Sequence, residues 1–299
     1  MNGFLIVNKP TGRTSSDAVV FVRRRLPRGT AVGHGGTLDP EASGVLPVCV
    51  GAATRLFDYI IDKQKTYVAR LRLGIETDTQ DATGQVVATA PVHVGEAEVR
   101  AALPRFIGEI EQVPPMYSAL KRDGQRLYKL ARKGETVTLQ PRKCRVDHIE
   151  YLGGDGDNTH LLRIDCGKGV YIRTLCHDIG RALGCGGHML TLERTAAGLF
   201  RIEDALTLED IDRLAQSGGL ESALIPLDAP LSHLPAVRVG EECRHAVING
   251  NPLKPRWLDR PATGEAVRVY LNDAFAGIGA PQSDGSVKFK AMLYRENER

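Results

Sequence analysis

The sequence predicts an α+β protein with a mixed, largely antiparallel sheet and flanking helices, followed by a small β-rich unit at the carboxyl end. Strand-like and helix-like segments are interspersed without strict alternation, which is typical of α+β folds. At 299 residues the chain is long enough for two units. Closely spaced prolines from Pro226 to Pro235 mark a seam, and we expect domains over residues 1–232 and 233–299.

The first predicted elements are a buried strand and a capped helix. Residues 4–8 form an apolar run that Pro10 ends. In "TSSDAVVFVRRRL", Ser15 or Ser16 is the predicted N-cap, and Asp17 lies in the first turn. Three arginines lie at the carboxyl end. The helix dipole favours an acidic residue near the amino end and basic residues near the carboxyl end, as found here.

The following segments predict further strands and helices. Residues 45–50 predict a strand, and a helix starts near Ala52. "KTYVARLRLG" alternates apolar and polar positions over residues 65–74, which predicts a strand with one polar face. The later patterns predict helices over residues 95–108 and 171–184, paired strands over 143–154 and 160–169, and short strands over 266–272, 274–281 and 286–293.

The composition is that of an ordinary folded protein, with 42% hydrophobic and 25% charged residues and a net charge of +3. The amino-terminal segment has neither a basic run nor a long apolar run, so we expect no signal peptide, no membrane span and a cytoplasmic location. The six cysteines form no CxxC pair and are expected to be reduced. Cys185 and His188 lack a second ligand pair, so no metal site is expected.

The stretch "VGHGGTLDPEASGVLP" places one carboxylate, Asp39, in a loop shaped by glycines and by Pro40. Glycines permit tight turns, and the proline restrains the residue before it to an extended conformation. A phosphate-binding loop is excluded, because no Lys-Ser or Lys-Thr pair follows and the carboxylate would repel phosphate. A solvated aspartate in a plain turn remains an alternative to a functional carboxylate.

Six motifs in order identify a family: "NKPTGRTSSDAV", "GHGGTLDPEASGVLPV", "KTYVARLRLG", "DTQDATG", "PPMYSALK" and "GVYIRTLCHDIGRALG". From about residue 3 to about residue 210 the chain resembles the bacterial TruB family of tRNA pseudouridine synthases. The resemblance implies the pseudouridine synthase sheet and isomerisation of uridine 55 in the tRNA T loop. It implies no cofactor and no metal.

The resemblance also implies three catalytic residues. Asp39 is the catalytic carboxylate, which adds to uracil C6 or acts at ribose C1′. Arg173, in "YIRT", forms the ion pair that keeps this carboxylate charged in a dry pocket. Tyr67 stacks against the target base and takes part in proton transfer. Without the family, Arg173 is a surface residue and Tyr67 a core tyrosine.

Further substrate contacts follow from the same resemblance. The target base must be flipped out to reach the pocket, and His34 fills the space that it leaves. Leu192, in "TLER", forms an apolar wall, although ordinary core packing would explain it equally. Lys9, Tyr171 and Lys121 complete the predicted substrate-binding set.

A basic stretch over residues 121–145 holds nine lysines and arginines against two acidic residues before residue 146. By resemblance it belongs to an RNA-gripping insertion over about residues 115–145, whose cations meet phosphates. A solvated surface is the alternative. The tail from about Ala236 resembles a small PUA-like domain.

The predicted partner is the T arm of tRNA, with no membrane, no obligatory protein partner and a monomeric chain. One alternative is a tRNA-binding folding chaperone in which catalysis is secondary or lost. Another is the guide-RNA-dependent relative that works inside a ribonucleoprotein. Two positions depart from the family pattern: Gly35 replaces Thr or Ser, and Glu193 replaces an arginine.

Overall fold

The computed structural model describes residues 1–61, 64–115, 121–122, 125–126 and 139–294. Seventeen strands lie in these residues. In chain order they are β1 (Gly3–Lys9), β2 (Val32–His34), β3 (Ala42–Val50), β4 (Lys65–Leu73), β5 (Ile75–Thr77), β6 (Val86–Thr89), β7 (Gly108–Gln112), β8 (Lys121–Arg122), β9 (Gln125–Arg126), β10 (Arg142–Gly154), β11 (Thr159–Cys166), β12 (Gly187–Ala197), β13 (Phe200–Arg201), β14 (Ala236–Val239), β15 (Val267–Leu271), β16 (Ala274–Pro281) and β17 (Val287–Met292).

The main sheet has nine strands, seven of which follow the order β1-β3-β12-β4-β11-β10-β7. The remaining two are short: β2 pairs with β3, and β13 pairs with β12. Every neighbouring pair is antiparallel except β3 with β12, which run parallel. The predicted mixed, largely antiparallel sheet is confirmed.

Six α-helices lie in the described ranges: α1 (Ser15–Arg23), α2 (Phe57–Ile61), α3 (Glu96–Ala102), α4 (Ile172–Ala182), α5 (Leu208–Gln216) and α6 (Arg244–Ile248). The helix predicted near Ala52 begins as a 3-10 turn over Gly51–Leu56 and continues as α2. The predicted N-cap of α1 is wrong, because Thr14 caps the helix. Its hydroxyl accepts a bond from the Asp17 amide, and the Asp17 carboxylate accepts one from the Thr14 amide.

The principal core lies between the large sheet and its helices. On β4, Tyr67, Ala69 and Leu71 are buried while the alternate positions are partly exposed, as the sequence pattern predicts. Helix α4 contributes apolar side chains such as Leu175 and Ile179 to the same core. Central strand β12 has no counterpart in the sequence-based prediction.

The carboxyl-terminal sheet has four strands in the order β14-β15-β16-β17. Its last three strands match the predicted runs, whereas β14 and α6 were not predicted. An apolar cluster joins it to the rest of the chain, with Ile278 and Leu293 packed among residues such as Phe4. Two polar contacts add to this: Arg55 donates to the Met292 carbonyl at 2.8 Å, and the Tyr270 hydroxyl donates to Asp228 at 2.8 Å. In the described part of the chain, no helix is long and apolar enough to cross a membrane.

Candidate active site

Asp39 and Arg173, far apart in sequence, form an ion pair. Arg173 Nε lies 2.9 Å from Asp39 Oδ2, and Nη2 lies 3.3 Å from Oδ1, so the guanidinium meets both carboxylate oxygens. The Arg173 side chain is 5% exposed and the Asp39 side chain 40% exposed. A fixed cation therefore stands behind a carboxylate that remains open on its other side.

A second acidic loop holds Arg173 from behind. Arg173 Nη1 donates to the Thr79 carbonyl at 3.3 Å, and Nε lies 3.7 Å from Asp81 Oδ2. The other Asp81 oxygen accepts bonds from the Thr79 hydroxyl and from Thr83. The "DTQDATG" turn is thus a cradle that fixes the guanidinium against Asp39.

The sheet register brings Tyr67 and Leu192 to the same face. Strand β12 places Leu192 opposite Ala69 and Arg194 opposite Tyr67 on β4. Leu192, Arg194, Tyr67 and Ala69 are all buried. Because residues two apart on a strand share a face, these side chains are neighbours. Burial raises the pKa of Tyr67, so its phenol stays protonated at neutral pH.

Lys9 is fully buried at the end of β1. Its ammonium donates to the carbonyls of Pro10 at 2.8 Å, Arg13 at 2.6 Å and Pro40 at 3.0 Å. Burial lowers the pKa of this ammonium to about 8. These contacts make Lys9 a support of the Asp39 loop. Contact of Lys9 with substrate stays a prediction.

His34 ends β2 and lines a cavity of about 510 Å³ together with Val20 and Arg23 of α1 and Phe57 of α2. Its Nδ1 atom is buried and meets no hydrogen-bond partner within the described residues. Burial lowers the pKa of His34, and the nearby Arg194 adds to this effect. The imidazole is therefore uncharged at neutral pH.

Tyr171 is the N-cap residue of α4, two positions before Arg173. The side-chain amide of Gln112, on β7, accepts from the Tyr171 amide at 3.0 Å and donates to its carbonyl at 3.2 Å. These two hydrogen bonds fix the position of the first turn of α4, and therefore the position of Arg173 in that turn. Contact of the Tyr171 side chain with substrate stays a prediction.

The predicted RNA-gripping insertion falls mostly outside the described residues, and of Lys121 only the backbone, in β8, is described. Two cations at its carboxyl end are paired with acids: Lys143 with Glu109 at 2.9 Å, and Arg145 with Asp147 at 2.6 Å. Such exposed pairs hold their partners weakly. Their role toward RNA stays a prediction.

Two positions that depart from the family pattern can be compared with their surroundings. A Cβ atom at Gly35 would lie 3.0 Å from Ile60 Cδ1, so the glycine leaves room for that side chain. Glu193 lies between Leu192 and Arg194 on β12 and is partly exposed, because alternate residues face opposite sides of a strand. The buried arginine of this strand is Arg194.

Sequence reasoning missed three residues of this site: Asp81, Gln112 and Arg194. Asp81 lies in a quoted motif but has the composition of an ordinary turn. Gln112 carries no local signal. Arg194 follows Leu192 by two residues, and residues two apart on a strand share a face. A prediction of strand β12 would therefore have placed Arg194 beside Leu192 on the inner face.

Comparisons with known proteins agree with this geometry. The family model described as "TruB family pseudouridylate synthase (N terminal domain)" matches residues 24–172, and the "tRNA pseudouridylate synthase B C-terminal domain" matches residues 173–232. The tRNA pseudouridine synthase B of Pseudomonas fluorescens (strain Pf0-1) is 43% identical over 99% of this chain and 97% of its own. That of Dehalococcoides mccartyi is 43% identical over 96% of this chain and 94% of its own.

Solved structures are also similar. Cbf5 in a crystal structure of a Cbf5–Nop10–Gar1 complex has a TM-score of 0.74 and 29% identity, covering 98% of this chain and 85% of that one. A chain of an H/ACA RNP bound to a substrate RNA containing 2′-deoxyuridine has a TM-score of 0.74 and 28% identity, covering 99% and 86%. The fold and the Asp39–Arg173 pair define an RNA uridine isomerase of the pseudouridine synthase class.

Within that class, the chain belongs to the TruB family.

Proposed function

We propose that this protein converts uridine 55 in the T loop of tRNA to pseudouridine, with Asp39 as the catalytic carboxylate. The observation that carries this is the two-point ion pair between Asp39 and the buried Arg173. The guanidinium of Arg173, itself almost fully buried, lies 2.9 Å from one Asp39 oxygen and 3.3 Å from the other. The pair thus orients a nucleophile where a base can reach it.

The reaction is an isomerisation in which every atom is retained. The bond between uracil N1 and ribose C1′ breaks, the base turns, and a bond between C5 and C1′ forms. The proton on C5 leaves and N1 gains one, so no external group or oxidant is needed. Attack of the Asp39 carboxylate at C6 and attack at C1′ both begin from the orientation in which Arg173 holds it.

The surrounding side chains receive roles from their chemistry. Tyr67 offers an apolar ring to the flipped base, and its raised pKa makes the hydroxyl a proton donor in the resting enzyme. Leu192, buried beside it, closes the pocket wall. His34, uncharged at neutral pH, is suited to fill an apolar gap between stacked bases.

The RNA-facing assignments rest on the resemblance together with charge. We propose that residues 115–145, Lys121 included, grip the phosphate backbone, and that Tyr171 contacts the substrate. The domain division at residues 232 and 233 follows the change from the nine-stranded sheet to the four-stranded sheet. We further propose that a monomeric chain acts without a protein partner.

Purified protein incubated with a bare T-arm stem-loop RNA tests this function. Carbodiimide labelling and primer extension are expected to find one pseudouridine, at the position of uridine 55, with no added protein or cofactor. An RNA with cytidine at that position is the matched control and should remain unlabelled. Absence of pseudouridine in the stem-loop, with modification only after partner proteins or guide RNA are added, would overturn the proposal of an autonomous enzyme.

A further inference from the structure

Arg194 is a buried arginine that donates hydrogen bonds to two backbone carbonyls. Its side chain is 1% exposed, and within the described residues it forms no ion pair with a carboxylate. Nε donates to the Val45 carbonyl at 2.7 Å, and Nη2 donates to the Gly36 carbonyl at 3.2 Å. Because burying a charge is costly unless it is well bonded, this placement requires an explanation.

The two residues whose carbonyls Arg194 binds lie on either side of Asp39 in the sequence. Gly36 precedes Asp39 by three residues and Val45 follows it by six. One guanidinium therefore joins both ends of the loop that carries Asp39. Its planar fork, with donors in fixed directions, is suited to set the separation of two carbonyls in a way that a lysine ammonium is not.

The backbone on both sides is shaped to admit this contact. Gly44, with φ of +101°, pairs with Arg194 in the parallel register of β3 and β12, and a Cβ there would overlap the Arg194 backbone. Gly36, with φ of +99°, lies so close that an added Cβ would meet Arg194 Nη1 at 3.6 Å. These are conformations in which glycine is strongly favoured.

Arg194 also lies opposite Tyr67 in the antiparallel register of β12 and β4. Its strand thus stands between the strand that follows Asp39 and the strand that carries Tyr67. The guanidinium opposes the effect of burial on the pKa of Tyr67, which indicates that the two side chains are close. One residue therefore relates the positions of the carboxylate and the aromatic ring.

We propose that Arg194 is a positioning residue for the isomerisation, which holds the Asp39 loop in register with Tyr67 through the Gly36 and Val45 carbonyls. This inference rests on the proposed function. Arg194 acts through Asp39 and not on the RNA, so its loss should slow the chemical step and leave RNA affinity unchanged. A displacement of a reacting group by about 1 Å costs roughly a hundredfold in rate.

The test compares Arg194→Lys, Arg194→Met and Arg194→Ala with the wild type by single-turnover isomerisation of the stem-loop RNA, RNA Kd and thermal unfolding. We expect a rate per folded molecule about tenfold to a hundredfold lower in all three variants, with an RNA Kd within about threefold of wild type. Millimolar guanidinium should partly restore the rate of Arg194→Ala but not that of Arg194→Lys, whose side chain fills the site.

Arg201→Lys is the matched control, since this exposed arginine of β13 also donates to backbone carbonyls, those of Gly198 and Phe200. It should keep the wild-type rate. Wild-type rates in the folded Arg194 variants, a loss of rate that only follows loss of RNA binding, or a failure of every variant to fold would each overturn the positioning role.

Asp39→Asn, assayed in parallel, separates this inference from the function on which it rests. If Asp39→Asn retains the wild-type rate, the proposed function fails. If Asp39→Asn is inactive and the folded Arg194 variants are fully active, only the role of Arg194 fails.

Discussion

The part of the chain with the nine-stranded sheet buries polar and charged side chains, whereas the core of the four-stranded sheet is apolar. The buried polar and charged residues of the described chain, from Lys9 to Arg194, all belong to the part that contains the larger sheet. The core of the smaller sheet is built from side chains such as Val237, Val269 and Val287. The buried cations Lys9, Arg173 and Arg194 contact Asp39 or the backbone of its loop. Since buried charge opposes folding, this arrangement is explained better by the chemistry of the loop than by packing, whereas the smaller unit is built for packing.

The largest effect is expected when the buried cation Arg173 is replaced. Arg173→Ala should leave Asp39 and Asp81 without their shared cation. Removing one partner of a buried pair should lower the free energy of unfolding by roughly 3–5 kcal/mol. In the folded fraction, a carboxylate displaced by about 1 Å should react at least roughly a hundredfold more slowly in single-turnover assays. Arg173→Lys, which keeps the charge but loses the two-point contact, should recover only part of the rate. A wild-type rate in Arg173→Ala would contradict the assigned pair.

Asp81→Asn tests the cradle behind Arg173. Its carboxylate lies 3.7 Å from Arg173 Nε and orders the turn through Thr79 and Thr83. Without this carboxylate, Arg173 and with it Asp39 should shift, and because a misplacement of about 1 Å costs roughly a hundredfold in rate, we expect about tenfold to a hundredfold slower isomerisation at unchanged RNA affinity. Asp78→Asn is the control: Asp78 accepts from the Gln85 amide in the same turn and does not contact Arg173 in the described structure. Equal effects of both variants would refute the cradle.

Lys9→Met separates stability from chemistry. Loss of the three carbonyl contacts should lower the free energy of unfolding by roughly 1–3 kcal/mol, measured by urea denaturation at pH 7. Folding lowers the pKa of this ammonium from 10.5 to about 8. Between these values the unfolded chain binds more protons, so wild-type stability should rise with pH relative to Lys9→Met. A constant difference from pH 7 to pH 10 would contradict the buried ammonium.

The smallest effect is expected in the four-stranded unit. Tyr270→Phe removes a hydroxyl that donates to Asp228 at 2.8 Å and accepts from Arg268 at 3.2 Å. We expect a loss of about 1 kcal/mol in the free energy of unfolding and an unchanged isomerisation rate. A rate loss comparable with that of Asp81→Asn would show that the attachment of this unit affects the active site, against the contrast drawn above.

The sequence predicts strand β4 but not its neighbour in the sheet, strand β12. Strand β4 alternates because one of its faces is buried and the other is partly exposed. Strand β12 is central and both its faces are largely covered, yet it carries Glu193 and Arg194. Its polar residues break the pattern that a buried strand normally has, so local periodicity could not identify it.

The residues of the candidate site also differ in how well the sequence predicts them. Asp39 and Arg173 follow from motifs, because a glycine-shaped loop and the "YIRT" segment have distinctive local sequences. The residues that support them act on backbone carbonyls or amides: Lys9 on Pro40, Gln112 on Tyr171 and Arg194 on Gly36. Such contacts place no requirement on the sequence of the partner. Only the sheet register brings the two sides together.

The single-turnover rate of Asp39→Asn on the T-arm stem-loop, at protein concentrations that saturate RNA binding, tests the central claim most directly. The amide keeps the shape of the side chain but is neither a nucleophile nor an ionic partner for Arg173. We predict no detectable pseudouridine, with an RNA Kd close to that of the wild type, in protein that thermal unfolding shows to be folded at the assay temperature. Formation of pseudouridine at the wild-type rate would contradict the assignment of Asp39 as the catalytic carboxylate.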